Sequence, residues 1–317
     1  MKISKAFLQK SYTDEELQAI LQHLFRNKSL APSSISQYAT KIPQWIQYLP
    51  TKLPHTLHTL LNNPQQSLKA LQETPKIKHS PANHHIYISA AVAFIKFILK
   101  DATLLAQWKE IEKANWKPLA DHYDENKPTP LQEEKLISPK ALEEIRSSLP
   151  KGTIERLLIS FYTLIEPIRA DYFATEILSS LSATPTEENY IVRDPVTNTA
   201  KLIVTDFKTK QKYEKIENTL SSELKEELEE SLRLQPRKYL FTTPETPQQP
   251  FASRKLFSNW ACRTLTRVLK QPMTLTALRH IYITSKIQSK TSPRELKEIA
   301  MKMGHSRDIQ RIYEWTT

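Results

Sequence analysis

Glycine is nearly absent from this chain: Gly152 and Gly304 are the only two among 317 residues. Phosphate-cradling loops of the Walker or dinucleotide-binding kind need several glycines, so that backbone amides approach the phosphates without a Cβ in the way. Neither loop can be built from this sequence. ATP-driven and NAD-dependent chemistry on those frameworks is therefore disfavoured.

Charge narrows the class further. Lys and Arg number 45 against 34 Asp and Glu, a formal net charge of +11. A polyanion is the natural partner, with nucleic acid ahead of an anionic membrane surface. Hydrophobic residues make up 39% and aromatics 9%, enough for a buried core, and the length suits two domains. Cys262 is the single cysteine, so neither an internal disulfide nor a cysteine-based zinc site can form, which points to a reducing compartment. The N-terminus has no apolar stretch of signal-peptide length. The most apolar run, 86–99, is interrupted by Ser89 and Lys96 and reads as too short to span a bilayer. The expectation is a soluble, intracellular protein with no membrane partner, located wherever its DNA is.

Hydrophobic periodicity divides the chain into 1–115, 116–137 and 138–317. The first part reads as a helical bundle. Thr13 to Glu16 is a capping box in front of Leu17, Ile20, Leu21 and Leu24. A second helix opens at Pro32 and carries Pro43 inside it, where a kink is expected. Further helices fit 64–73, 82–100 and 102–114. Residues 116–137 are polar and proline-bearing and read as an extended linker. Ser138 and Pro139 then start a new helix, and 152–165 and 169–178 read as two more. Strand signals at 190–193, 201–205 and 212–216 suggest a three-stranded antiparallel sheet. Helices resume at 220–233, 253–269, 274–288 and 292–302. Ser292 to Glu295 is a second capping box, and Gly304 suits a helix C-terminal stop. The expected fold class is mainly α with a small antiparallel sheet (α+β).

The end of the chain carries the chemistry. Thr276-Ala-Leu-Arg279-His280 resembles the His-x-x-Arg-His box of tyrosine recombinases, the phage-integrase family. Met303-Gly304-His305 resembles that family's Leu-Gly-His box, and Tyr313 falls near where its nucleophile lies. Upstream, Pro167-Ile168-Arg169 stands where the family carries its first arginine, and Lys208 follows a strand, as the family's hairpin lysine does. The resemblance covers most of 138–317. It implies a helical core-binding domain followed by a catalytic domain, double-stranded DNA as partner, a homo-tetramer on two DNA sites, and integration or recombination of a virus or mobile element. No cofactor and no metal are implied.

The roles the resemblance implies agree with phosphoryl chemistry. Arg169 and Arg279 would each offer a planar fork to the non-bridging oxygens, and His305 would add a third hydrogen bond. Tyr313 would attack phosphorus and form a 3′-phosphotyrosyl link. Lys208 would protonate the leaving 5′-oxygen; Lys210 and Lys212 are equally basic neighbours, expected on DNA phosphates. Thr276 stands where the family has a histidine and cannot accept the tyrosine proton near neutral pH. His280 is expected behind the site, Trp315 as a terminal packing anchor, and Lys96, Lys100, Lys109 and Lys113 as phosphate contacts of the helical part. Alternatives sharing these residues are a type IB topoisomerase, a telomere resolvase, or a DNA-binding architectural protein in which Thr276 marks lost activity.

Overall fold

The computed structural model describes the chain except residues 1–2, 79, 126, 129–132, 134–135, 181–182, 195, 244, 312 and 315–317. It forms two compact units, Met1–Glu125 and Asn126–Thr317.

The first unit is helical. Thr13 caps Asp14–Phe25 with the expected reciprocal bonds to Glu16, and Leu17, Leu21 and Phe25 on one face of that helix are buried. The Pro32–Gln47 helix continues through Pro43, whose missing N–H leaves one carbonyl of the previous turn without its helical donor. Two short helices, Lys5–Gln9 and Leu57–Asn62, carry too little periodic signal to stand out in the sequence. Pro64–Glu73 follows. The Pro81–Phe94 helix widens into a π turn, Ile95–Leu99, and ends at Lys100, whose φ of 57° is left-handed. By length and composition alone the 19 residues of Pro81–Leu99 could cross a membrane, but 50% of that stretch is buried inside the unit, as in a core helix. Tyr87, Ile88 and Phe94 within it belong to the unit's core, with Trp45 and Trp108. The last helix runs Ala102–Asp124 rather than stopping at 114. Pro118 sits inside it, so the residues from Trp116 to Asp124, read as extended linker, are helical.

The second unit packs helices around a four-stranded sheet, β1 (Glu176–Leu178), β2 (Asn189–Asp194), β3 (Thr199–Val204) and β4 (Ile216–Thr219). Two sequence readings change here. Residues 169–178 are not one helix: Ala170–Ala174 is a 3₁₀ turn, and Glu176–Leu178 pairs in parallel with Tyr190–Val192. The apolar spacing over 169–178 fits a helix, but parallel pairing with a distant strand outweighs a local pattern. The sheet is thus mixed, with β2, β3 and β4 antiparallel. The third predicted strand also starts later. Lys210–Tyr213 is a helical turn, Glu214 takes a φ of 54°, and pairing begins at Ile216. The remaining helices, Pro139–Ser148, Ile154–Thr163, Ser222–Leu234, Arg254–Leu269, Leu275–Gln288 and Pro293–Lys302, match the sequence reading to within a few residues, and Arg307–Arg311 adds a short one. They bury one apolar core against the sheet.

Candidate active site

The Leu275–Gln288 helix begins with Thr274 capping the Ala277 amide. Thr276 is exposed on its first turn, three residues before Arg279, and so on the same helical face. Arg279 is only 1% exposed. Its Nη1 donates to the Tyr313 hydroxyl at 3.3 Å and its Nη2 to the Met303 carbonyl at 3.4 Å, while Nε is buried without a hydrogen-bond partner. The guanidinium lies 4.7 Å from the centre of the Tyr313 ring. Burial lowers the Arg279 pKa to about 10, with Tyr313 opposing and Arg169 adding to the fall. A buried guanidinium without a carboxylate partner is favoured by the arrival of an anion.

Pro293–Lys302 ends at Met303, and Gly304 turns the chain at a φ of 73°. A Cβ on Gly304 would meet Ile216 Cδ1 at 2.9 Å and Phe207 at 3.4 Å. Glycine is favoured here by the left-handed backbone, and a Cβ would also push the Ile216 side-chain tip aside. The turn delivers His305, 2% exposed, with its ring stacked on Tyr313 at 5.4 Å and 12°. His305 Nδ1 lies 3.1 Å from the Ser306 carbonyl, and Nε2 is buried without a partner. A carbonyl only accepts, so the neutral ring carries its proton on Nδ1 and Nε2 is an open acceptor. Burial first, then Arg279, lowers the His305 pKa to about 3. His305 thus becomes a second-nitrogen donor only when an anion draws a proton onto Nε2. On the other side of the tyrosine, His280 contacts the Tyr313 carbonyl through Nδ1 at 3.1 Å, and its pKa falls to about 4, chiefly by burial. Tyr313 itself is half-buried, its ring against the cluster of Tyr282, Ile283, Leu296, Ile299 and Met303.

Arg169 follows buried Ile168 and immediately precedes the 3₁₀ turn; the Tyr162 hydroxyl donates to its carbonyl at 3.0 Å. Its charge is among the causes lowering both Arg279 and His305, so the three share one electrostatic neighbourhood. Among the described residues the Arg169 side chain has no hydrogen-bonding or ion-pair partner. Asp171, the obvious local candidate, is held instead by Arg254 Nε at 2.6 Å.

Lys208 and Lys210 differ in the same way. Lys210 is paired with Asp206 at 3.2 Å and Glu188 at 3.5 Å. Lys208 is exposed and has no partner among the described residues. Its turn is fixed on both sides: Phe207 is buried, and the Thr209 hydroxyl donates to the Gly304 carbonyl at 2.6 Å. Lys212 is exposed on the Lys210–Tyr213 turn. Lys96 and Lys100 are exposed on the first unit. Trp315 lies outside the described residues. Among those residues no group of three or more His, Cys, Asp or Glu side chains is arranged to hold a metal ion.

No family model and no curated protein matches the sequence. The structure is nevertheless similar to that of a lambda integrase(75-356) dimer bound to a COC′ core site, with 13% identity over 96% of this chain and 98% of that one, and a TM-score of 0.55. The fold is that of this lambda integrase fragment. Looser overlaps link it to XerA recombinase, with 14% identity over 95% of this chain and 94% of that one and a TM-score of 0.38. The integrase from mycobacterium phage Brujita gives 12% identity over 94% and 90%, and a TM-score of 0.35. Those two are too loose to bear on the argument. The residues that sequence reasoning missed are the polar ones holding the candidate site's segments. Tyr162, Asn189 and Arg254 carry no motif, and the partners of Asn189 and Arg254 lie far along the chain.

Proposed function

We propose that this protein is a site-specific DNA recombinase that cuts and rejoins double-stranded DNA through Tyr313. The observation that carries the reading is Arg279: buried, without a carboxylate partner among the described residues, and in contact with the hydroxyl of Tyr313, whose ring stacks on buried His305. A phosphodiester entering this pocket would meet the forks of Arg279 and Arg169, and its charge would favour protonated His305. The Tyr313 oxygen would bond to phosphorus as the P–O5′ bond breaks, giving a 3′-phosphotyrosyl link and a free 5′-hydroxyl. The tyrosine proton would pass to water, since Thr276 is no base, and Lys208 would supply the proton for the 5′-oxygen. The lambda integrase with which this fold is shared was solved on DNA as a dimer. For this chain we infer double-stranded DNA as partner and a homo-tetramer on two sites, with the basic first unit contributing phosphate contacts such as Lys96 and Lys100. Integration of a viral or mobile element is the reaction context this implies.

The test uses nicked suicide duplexes tiled across the DNA flanking the gene, where release of a short strand traps the covalent complex. Wild type should give a protein–DNA adduct on one of them, and Tyr313→Phe should give none while binding the same duplex equally. Tight binding by wild type without any adduct overturns the enzyme and leaves a DNA-binding architectural protein. Relaxation of supercoils without exchange between two sites would assign it as a topoisomerase.

A further inference from the structure

Four polar side chains join the two turns that carry the proposed catalytic cations. Arg254 Nε donates to Asp171 Oδ1 at 2.6 Å, and its Nη2 to Asp206 Oδ2 at 2.6 Å and to the Asp206 carbonyl at 2.9 Å. Asp171 stands two residues after Arg169, and Asp206 two residues before Lys208. The Arg254 guanidinium also lies 4.9 Å from the Phe173 ring centre, which fixes its plane. Beside it, Asn189 is 3% exposed and uses its whole amide on the same two segments. Its Nδ2 donates to the Asp171 and Asp206 carbonyls at 2.9 and 3.1 Å; its Oδ1 accepts from the Thr205 and Asp206 amides at 3.0 and 2.9 Å.

We propose that Arg254 is a positioning residue for the reaction assigned above, on which this inference rests. By taking both carboxylates it ties the Arg169 turn to the Lys208 turn and keeps each carboxylate off the neighbouring catalytic cation. The structure displays the consequence. Among the described residues Arg169 and Lys208 have no carboxylate partner, although each has an aspartate two residues away. Asp171 feels the Arg169 charge, yet its hydrogen-bonded partner is Arg254. Released by Arg254, Asp171 would close on Arg169, and Asp206, whose Oδ1 still pairs with Lys210 at 3.2 Å, would have its Oδ2 free for Lys208, cancelling charge that the phosphate and the leaving oxygen need. Asn189, uncharged and fully bonded, keeps the two backbones joined in the absence of Arg254, so the clamp and the mask are separable.

The experiment follows single-turnover adduct formation on the nicked duplex, with duplex affinity and thermal unfolding measured alongside. Arg254→Gln should slow adduct formation about 10- to 100-fold with little change in affinity, the loss expected when a catalytic group is displaced. Adding Asp171→Asn and Asp206→Asn to that variant should recover at least about tenfold of the rate, because the carboxylates it released are gone. A merely structural arginine gives no such recovery, since each added change removes another contact. An unchanged rate in Arg254→Gln, or a triple variant no faster than the single one, overturns the proposal. If Arg254→Gln does not fold at the assay temperature, Arg254→Lys decides. One ammonium reaches one carboxylate well but not two, so its rate should fall in between, and a wild-type rate overturns the proposal. A wild type that forms no adduct on any duplex overturns the recombinase reading, and this inference with it.

Discussion

Two buried arginines in the second unit do opposite things. Arg237 and Arg279 both have pKa values lowered to about 10, mainly by burial. Arg237 spends its donors on the fold: Nε on the Leu240 carbonyl, Nη1 on the Ser231 and Gln235 carbonyls, and Nη2 on the Ser231 hydroxyl, all at 2.9–3.1 Å. Arg279 makes two longer bonds, one of them to the candidate nucleophile, and leaves Nε unpartnered. A perturbed pKa therefore marks burial in both, and only the hydrogen-bond inventory separates an arginine that holds the chain from one held ready for a ligand. Arg156 behaves like Arg237, with Glu227 in its fork at 2.6–2.9 Å and two carbonyls on Nη1.

The contrast is broken most directly by truncating both. Arg279→Ala should lower adduct formation about 1,000-fold, as expected for removing a charged donor from developing phosphate charge, with little loss of thermal stability. Arg237→Ala should do the reverse. It takes the donor from the buried Leu240 carbonyl and the buried Ser231 hydroxyl and should cost about 3 kcal/mol in denaturant unfolding, leaving the activity of the folded fraction intact. If both variants lose stability equally and neither loses activity selectively, the distinction fails.

Acid sharpens the same contrast at the histidines. His280 and His305 have folded-state pKa values of about 4 and about 3, below the ordinary 6.5. The unfolded chain therefore takes up protons first on acidification. The stability from burying both rings neutral is fully present above about pH 6.5 and is lost as pH falls towards the folded values. The melting temperature should drop across that window, and His305→Gln should flatten the slope. An unchanged slope would place the titration elsewhere. The smallest effect is expected at Lys210, an exposed side chain whose surface ion pairs are screened by solvent. Lys210→Ala should change adduct formation by less than about twofold, whereas Lys208→Ala should cost about 100-fold. The opposite ranking, from single-turnover rates on the nicked duplex, would exchange the two lysines.

Much of the architecture was legible because it is local. Capping boxes at Thr13 and Ser292, prolines at helix starts, and apolar stripes placed most helices to within a few residues. The candidate site was legible where its residues fall in short boxes near the C-terminus, and Arg169 and Lys208 were reached through the resemblance. The misreadings share one cause. Residues 169–178 split into a turn and a parallel strand, 212–216 starts as a helical turn, and the stretch from Trp116 to Asp124 is helix. In the first two cases pairing with residues elsewhere overrode the local pattern, and in the third a proline-bearing polar stretch was taken for a break.

The sequence by itself determined which side chains can meet phosphate: two arginines, a histidine, a lysine and a tyrosine, in a chain too poor in glycine for a phosphate-binding loop. Only the tertiary structure decided which of them are free to do so. Asp171 goes to Arg254 rather than Arg169, Asp206 to Arg254 and Lys210 rather than Lys208, and Arg279 keeps an unused donor beside Tyr313. The physical reason is that a hydrogen bond depends on ångström-scale distance and direction. Spacing along the chain does not fix either until distant segments pack.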